Sequence, residues 1–146
     1  MKKILFSLFV FSLAGIAIAQ TPAPAIEWQK CFGGSSGDDV SSVQQTSDGG
    51  YIVAGNTESN DGDVSDNHGN YDAWIVKLDA SGNLLWQKCL GGSGEDIAFS
   101  IQQTSDGGYI AAGYTDSNDG DVSGNHGNRD GWVVKLDASG NLLWQK

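Results

Sequence analysis

The chain has 146 residues, with 18 Asp and Glu against 8 Lys and Arg, a formal net charge of -10 and no basic run anywhere. It therefore offers no electrostatic footprint for a phosphate backbone, which excludes nucleic acid as a partner. Five Trp, four Tyr and five Phe in a composition that is 39% hydrophobic exclude a disordered acidic tail. With 21 Gly, and with acid supplied almost entirely as Asp apart from Glu27, Glu58 and Glu95, the composition favours turns and strands over helices, so the expected fold class is all-β.

Residues 1–19 read as a secretory signal peptide. Lys2 and Lys3 form a charged start, Ile4 to Ile18 an apolar stretch, and Ala17-Ile18-Ala19 a small-residue cleavage site before Gln20. The apolar stretch is shorter than the ~20 residues a bilayer span needs, so no membrane span is expected once it is removed. The residue after the cleavage site is Gln20 and not a Cys that could carry a lipid. The expected localisation is secreted or cell surface. Residues 20–27 form a leader.

From Trp28 onward the chain repeats itself. Trp28, Trp86 and Trp144 recur at one period, as do Cys31 and Cys89, Tyr51 and Tyr109, His68 and His126, and Trp74 and Trp132. Residues 28–85 match 86–143 at 44 of 58 positions without a gap. Residues 144–146 open a third copy, so the chain is expected to be a fragment of a longer protein or to assemble with other copies.

Each copy holds four stretches of strand composition, in the first copy 40–46, 51–57, 73–79 and 84–90, separated by turn chemistry. Ser47-Asp48-Gly49-Gly50 suits a tight hairpin needing positive φ, and Ala80-Ser81-Gly82-Asn83 is a second Gly-containing turn. Trp74, Val76 and Leu78 alternate with Ile75 and Lys77, and Ile97, Phe99 and Ile101 alternate in the second copy. The one long connection per copy runs through 58–72 and 116–130. Four antiparallel strands at this period predict β-propeller blades, each a four-stranded antiparallel meander, with two blades present and the ring incomplete. A β-solenoid fits less well, because its coils are shorter and tight hairpins do not belong to a parallel coil. The stretch 27–32 repeats the fourth strand of a blade and is expected to pair with the last blade of a full ring. Uncovered blade faces carrying Trp74, Trp86 and Trp132 are expected to drive self-association.

The stretches Gln44-Gln45-Thr46-Ser47-Asp48-Gly49-Gly50-Tyr51-Ile52-Val53-Ala54-Gly55, Trp74-Ile75-Val76-Lys77-Leu78-Asp79 and Gly82-Asn83-Leu84-Leu85-Trp86-Gln87-Lys88 resemble the bacterial secreted and cell-surface β-propeller repeat family, whose tandem repeats are described as seven-bladed. The resemblance covers residues 28–146. It implies a propeller fold, many tandem copies and often a C-terminal sorting domain, and it carries over no catalytic residue. Asp79-Ala80-Ser81-Gly82-Asn83-Leu84-Leu85-Trp86 is also similar to the tryptophan-docking repeat of quinoprotein dehydrogenases, with two residues in place of three between Asp and Gly. That likeness implies a packing role for the Trp, because a cofactor site would not recur in every copy.

The loop Asn60 to Asn67 and its copy Asn118 to Asn125 gather hard oxygen donors around a Gly. If they bind Ca²⁺, the ligands expected are Asp61, Asp63 and Asp66 in the first and Asp119 and Asp121 in the second, which is weaker because Gly124 replaces Asp66. The spacing is not that of an EF-hand, and an Asx-rich turn satisfying its own backbone is the favoured reading. No other cofactor is expected. His68 and His126, one per copy in Asn-His-Gly-Asn, are expected to make turn hydrogen bonds rather than bind a metal. Cys31 and Cys89 hold equivalent positions on neighbouring blades, too far apart to bridge, and are expected to be buried.

Gly33-Gly34 and Gly91-Gly92 lack the remaining residues of a P-loop, and Asp38 and Asp39 are expected on a hydrated blade edge. No nucleophile with a partner base is present, so the chain is not expected to be an enzyme. The function expected is a non-catalytic extracellular binding, structural or adhesion module, with an unidentified polysaccharide or protein ligand recognised on the loops. The alternative is part of a propeller enzyme, quinoprotein-like or glycosidase, with its active residues in other blades.

Overall fold

The structure, a computed structural model, describes residues 23–146. The expected signal segment 1–19 and the first leader residues, 20–22, lie outside the described residues.

β-Branched and aromatic stretches between Gly-containing turns form eight strands: β1 Asp38–Gln45, β2 Tyr51–Thr57, β3 Asp72–Leu78, β4 Leu84–Leu90, β5 Asp96–Gln103, β6 Tyr109–Thr115, β7 Asp130–Leu136 and β8 Leu142–Gln145. They make two four-stranded antiparallel sheets, β1-β2-β3-β4 and β5-β6-β7-β8, each strand beside its neighbour in sequence. Among the described residues there is no helix, hence none long and apolar enough to cross a membrane. The all-β expectation holds. The stretch 27–32, expected as a strand, is not one: it has no strand neighbour to complete its backbone hydrogen bonds.

Register follows from the hairpins. In the first, the Thr46 amide donates to the Gly50 carbonyl at 2.9 Å while Gly49 takes φ 83°. Asp48 Oδ1 accepts from the Gly50 amide at 3.0 Å. Beneath it Lys77, 3% exposed on β3, donates from Nζ to Thr46 Oγ1, Asp48 Oδ1 and the Leu78 carbonyl, each at 3.1 Å. The buried ammonium is thus fully partnered, as burial of charge requires. Lys135 and Asp106 make the same pair in the second sheet at 3.0 Å.

Tyr51 pairs with Leu78, Val53 with Val76 and Gly55 with Trp74, so these side chains share one face of the first sheet, here called the Trp face. Ile52, Ala54, Ala73 and Ile75 share the opposite, Ile face. The Ile face of the first sheet packs on the Trp face of the second, where Tyr109, Ala111, Trp132, Val134 and Leu136 join Ile52, Ala54, Ala73, Ile75 and Leu90 in one core. A second core lies on the Trp face of the first sheet, with Trp74, Val76, Leu78 and Cys89 covered by Val64 and flanked by Phe32.

Trp74 and Trp132, expected on uncovered faces, are 2% and 4% exposed. Their indoles are covered from the loop side by Val64 and Val122, and each Nε1 is satisfied at about 3 Å by the Gln on the adjacent strand, Gln87 or Gln145. The large apolar side chains that do face solvent include Val40, Val43, Phe99 and Trp144.

The simple alternation expected for Ile97, Phe99 and Ile101 is broken. A register shift between Ala98 and Ser100 makes a β-bulge, which directs Phe99 to solvent while Ala98 and Ile101 enter the core. Gly113 is required opposite the bulge, because a Cβ there would overlap the carbonyl oxygen of Ile97. Gly55 faces Asp39 in the same way.

Candidate functional site

The strand order places both long loops, 58–71 and 116–129, and both Gly-Gly segments, 33–37 and 91–95, at the same end of the two sheets, while the tight turns lie at the other end. At this long-loop end two Asp residues hold the loops in place. Asp96, which opens β5 and is fully buried, accepts hydrogen bonds from Thr115 Oγ1, from Ser117 Oγ at 2.8 Å and from the Gly92 amide at 2.8 Å. Asp38 accepts from Thr57 Oγ1, Ser59 Oγ at 3.0 Å and the Gly34 amide at 2.8 Å. The hydrated edge expected at Asp38 is therefore corrected: this position is a hydrogen-bonding hub, legible as the recurring Asp, Thr and Ser of Asp38, Thr57 and Ser59 and of Asp96, Thr115 and Ser117. Asp39, by contrast, is exposed.

The Asp-rich loops close onto the Gly-Gly segments. Asp61 Oδ1 accepts the Ser35 amide at 2.7 Å and Asp119 Oδ1 the Ser93 amide at 2.8 Å. Asp63 and Asp121 reach the Gly33 and Gly91 amides, each at 3.4 Å. The Ser93 amide keeps the Asp119 carboxyl below its ordinary range. Asp66 takes φ 65°, the conformation its counterpart Gly124 adopts at 84°, and its carboxylate accepts only from Ser65 Oγ at 3.0 Å. Among the described residues no group of three or more His, Cys, Asp and Glu is arranged to hold a metal ion. Of the five expected Ca²⁺ ligands, Asp61, Asp63, Asp119 and Asp121 accept backbone amides of the Gly-Gly segments and Asp66 accepts the Ser65 hydroxyl.

The two His residues occupy one motif in two environments. His68 Nδ1 lies 2.6 Å from Oδ2 of Asp72, whose side chain is fully buried, whereas His126 lies 3.1 Å from Asp130, which is 33% exposed. The difference arises because the first long loop is covered: Tyr71 bridges Glu95, and the Asp96 amide donates to the Tyr71 carbonyl at 2.7 Å. Burial raises the Asp72 carboxyl, and Oδ1 has no hydrogen-bond partner. The His126 amide lowers that of Asp130. For His68, burial disfavours the charged ring, but the hydrogen bond and charge of Asp72, with Asp121 and Asp66, outweigh it and raise the imidazole. A raised folded-state value contributes stability that is present below the unfolded value of 6.5 and is lost as pH climbs through the folded one. The thermal midpoint is expected to fall as pH rises from 6.5, and His68→Gln to flatten that fall. An unchanged slope in His68→Gln contradicts the assignment.

The copies differ most beside the second long loop. Glu95, Phe99, Tyr114 and Arg129, which replace Gly37, Ser41, Asn56 and Tyr71, come together in space. Arg129 lies over the Tyr114 ring at 4.3 Å and pairs with Glu95, and Phe99 stands 5.7 Å from Tyr114. The mismatches between the copies are the sequence signal for this cluster, although spacing alone does not show that they converge.

Both thiols are free. Cys89 is buried, and burial pushes its thiol up to about 12, so it is inert at neutral pH. Cys31, expected to be buried, is exposed, because no strand lies beside 27–32 to cover it. No protein-family model and no curated protein matches the chain.

Proposed function

We propose that the chain forms two β-propeller blades of an extracellular, non-catalytic binding module, with recognition at the long-loop end. The observation that supports this is the construction of that end. Two long polar loops stand side by side, clamped from below by Asp38 and Asp96 and cross-tied through Asp61 and Asp119, with His126, Asn70 and Asp66 exposed above. Loops fixed on a rigid scaffold present side chains at low ordering cost, which is what a recognition surface needs. The stacking of the two sheets beneath supports reading them as blades: Trp86 of the first sheet meets Tyr109 of the second edge-on at 5.8 Å and packs against Gly140. A polysaccharide or a protein is the ligand class suited to an exposed polar surface of this kind.

Glycan-array and protein pull-down surveys test the reading, with Asp66→Gly and His126→Ala as loop variants. Asp66→Gly keeps the positive φ and copies the second loop. Binding that weakens in these variants at unchanged melting temperature supports the proposal. Absence of any ligand, or binding indifferent to both substitutions, overturns it.

A further inference from the structure

The junction between the two sheets is directional, since an Ile face meets a Trp face. The outer surfaces therefore carry its two halves unpaired. The Trp face of the first sheet leaves Val40 and Val43 each 62% exposed, although their equivalents Ala98 and Ile101 are buried against the neighbouring sheet. The Ile face of the second sheet leaves Ile110, Ala112 and Val133 half-buried and Gly131 exposed, although Ile52, Ala54, Ile75 and Ala73 are buried.

The edges match as well. Trp28 stands on Tyr51 at 5.6 Å and 65°, as Trp86 on β4 stands on Tyr109 at 5.8 Å and 63°. Residues 28–32 thus already lie, relative to the first sheet, where the fourth strand of a preceding sheet belongs, but without that sheet. On the second sheet, β8 and Lys146 pair with β7 from Val133 to Leu136, whereas β4 covers β3 from Ala73 to Leu78, with Cys89 opposite Trp74 and Leu90 opposite Ala73.

We propose that these surfaces bind each other in a second copy of this chain. The Ile face of one copy's second sheet covers the Trp face of the next copy's first sheet. Residues 28–32 of that next copy lie along β7, taking the place of the identical Trp144-Gln145-Lys146 and adding Cys31 and Phe32 opposite Trp132 and Gly131. The occupant is specified by continuity with the internal junction, of which the contact is a further instance, and by side-chain volume. Ala73 and Ala98 border one small void between the sheets, and their outer equivalents are Gly131 and Val40, one smaller and one larger. Tyr71 bridges Glu95, and the outer equivalents are Arg129 and Gly37, again large against small. The interface is heterologous, so it propagates from copy to copy until a ring closes. Because each copy carries a formal charge of -10, association strengthens as salt screens the repulsion.

Sedimentation velocity of the full chain over a range of concentration and salt tests this, with Val40→Glu and Gly131→Glu as blocking variants. Both positions are exposed, and no atom lies within 4 Å of a Cβ built at Gly131, so each variant is expected to keep the parent circular dichroism and melting temperature. The parent should associate and each variant alone should be monomeric. An equimolar mixture should form heterodimers and nothing larger, since one free half remains on each variant. Cys31 should react with an aromatic disulfide reagent in the dilute chain and be protected in proportion to the associated fraction. A monomeric parent, association that persists in the single variants, a mixture that stays monomeric, or a Cys31 equally reactive in the assembly overturns the proposal.

Discussion

Replacing Asp96 with Ala is expected to cost roughly 3–5 kcal/mol, because three buried donors lose their acceptor. Its carboxylate is fully buried and accepts three hydrogen bonds, from Thr115, Ser117 and Gly92, which join β5, β6 and the segment linking the sheets. Removing it leaves three donors facing one another where water does not reach, and each lost bond to a charged acceptor is itself worth about 1.5–3 kcal/mol. Asp38→Ala removes the same set of bonds at a site that is only half-buried, where water replaces part of what is lost, so its cost should be smaller. Urea midpoints of the two variants check the ordering. Equal midpoints, or an Asp96→Ala protein as stable as its parent, refute the clamp. Because small domains rest on about 5–15 kcal/mol in total, the Asp96 variant is expected to lose a large share of its stability.

Trp132→Ala is expected to cost about 3–5 kcal/mol and to separate the unfolding of the two sheets. The indole belongs to the core that Ile52, Ala54, Ala73 and Ile75 of one sheet share with Val134 and Leu136 of the other, and its Nε1 donates to Gln145 at 2.9 Å. Truncation opens a cavity where the sheets meet and leaves Gln145 without that donor. Trp74→Ala makes the same truncation within the first sheet's own outer core and spares the junction. Calorimetry should therefore show one transition for the parent and Trp74→Ala, and two for Trp132→Ala. A single transition in all three would show that Trp132 does not couple the sheets.

The long acidic loops combine a local property of the chain with a distant one. Asp, Gly and Asn in 58–72 were legible as a turn-rich connection because those residue types make turns wherever they stand. Whether their carboxylates converge on an ion depends on what lies opposite, and there the Ser35 and Ser93 amides take Asp61 and Asp119. Those amides come from segments 26 residues earlier in the chain, a separation no local pattern reports.

Strand positions and hairpin chemistry were determined by the sequence alone, because alternation of apolar side chains and the φ demands of Gly49 and Gly82 are local properties of the chain. Only the tertiary structure decided that Trp74 and Trp132 are covered while Val40 and Val43 are not, since both pairs are apolar residues in strands. It also decided that Cys31 is exposed while Cys89 is buried, and that 27–32 is no strand although its sequence repeats that of β4. Around the Trp and Cys residues and 28–31 the neighbours in sequence are nearly the same in both copies, whereas 39–43 and 97–101 differ at four of five positions. Cys31, 27–32, Val40 and Val43 stay uncovered because no sheet lies beside them, whereas the two indoles are covered by Val64 and Val122 of the long loops; burial and strand pairing are relations between distant parts of a chain.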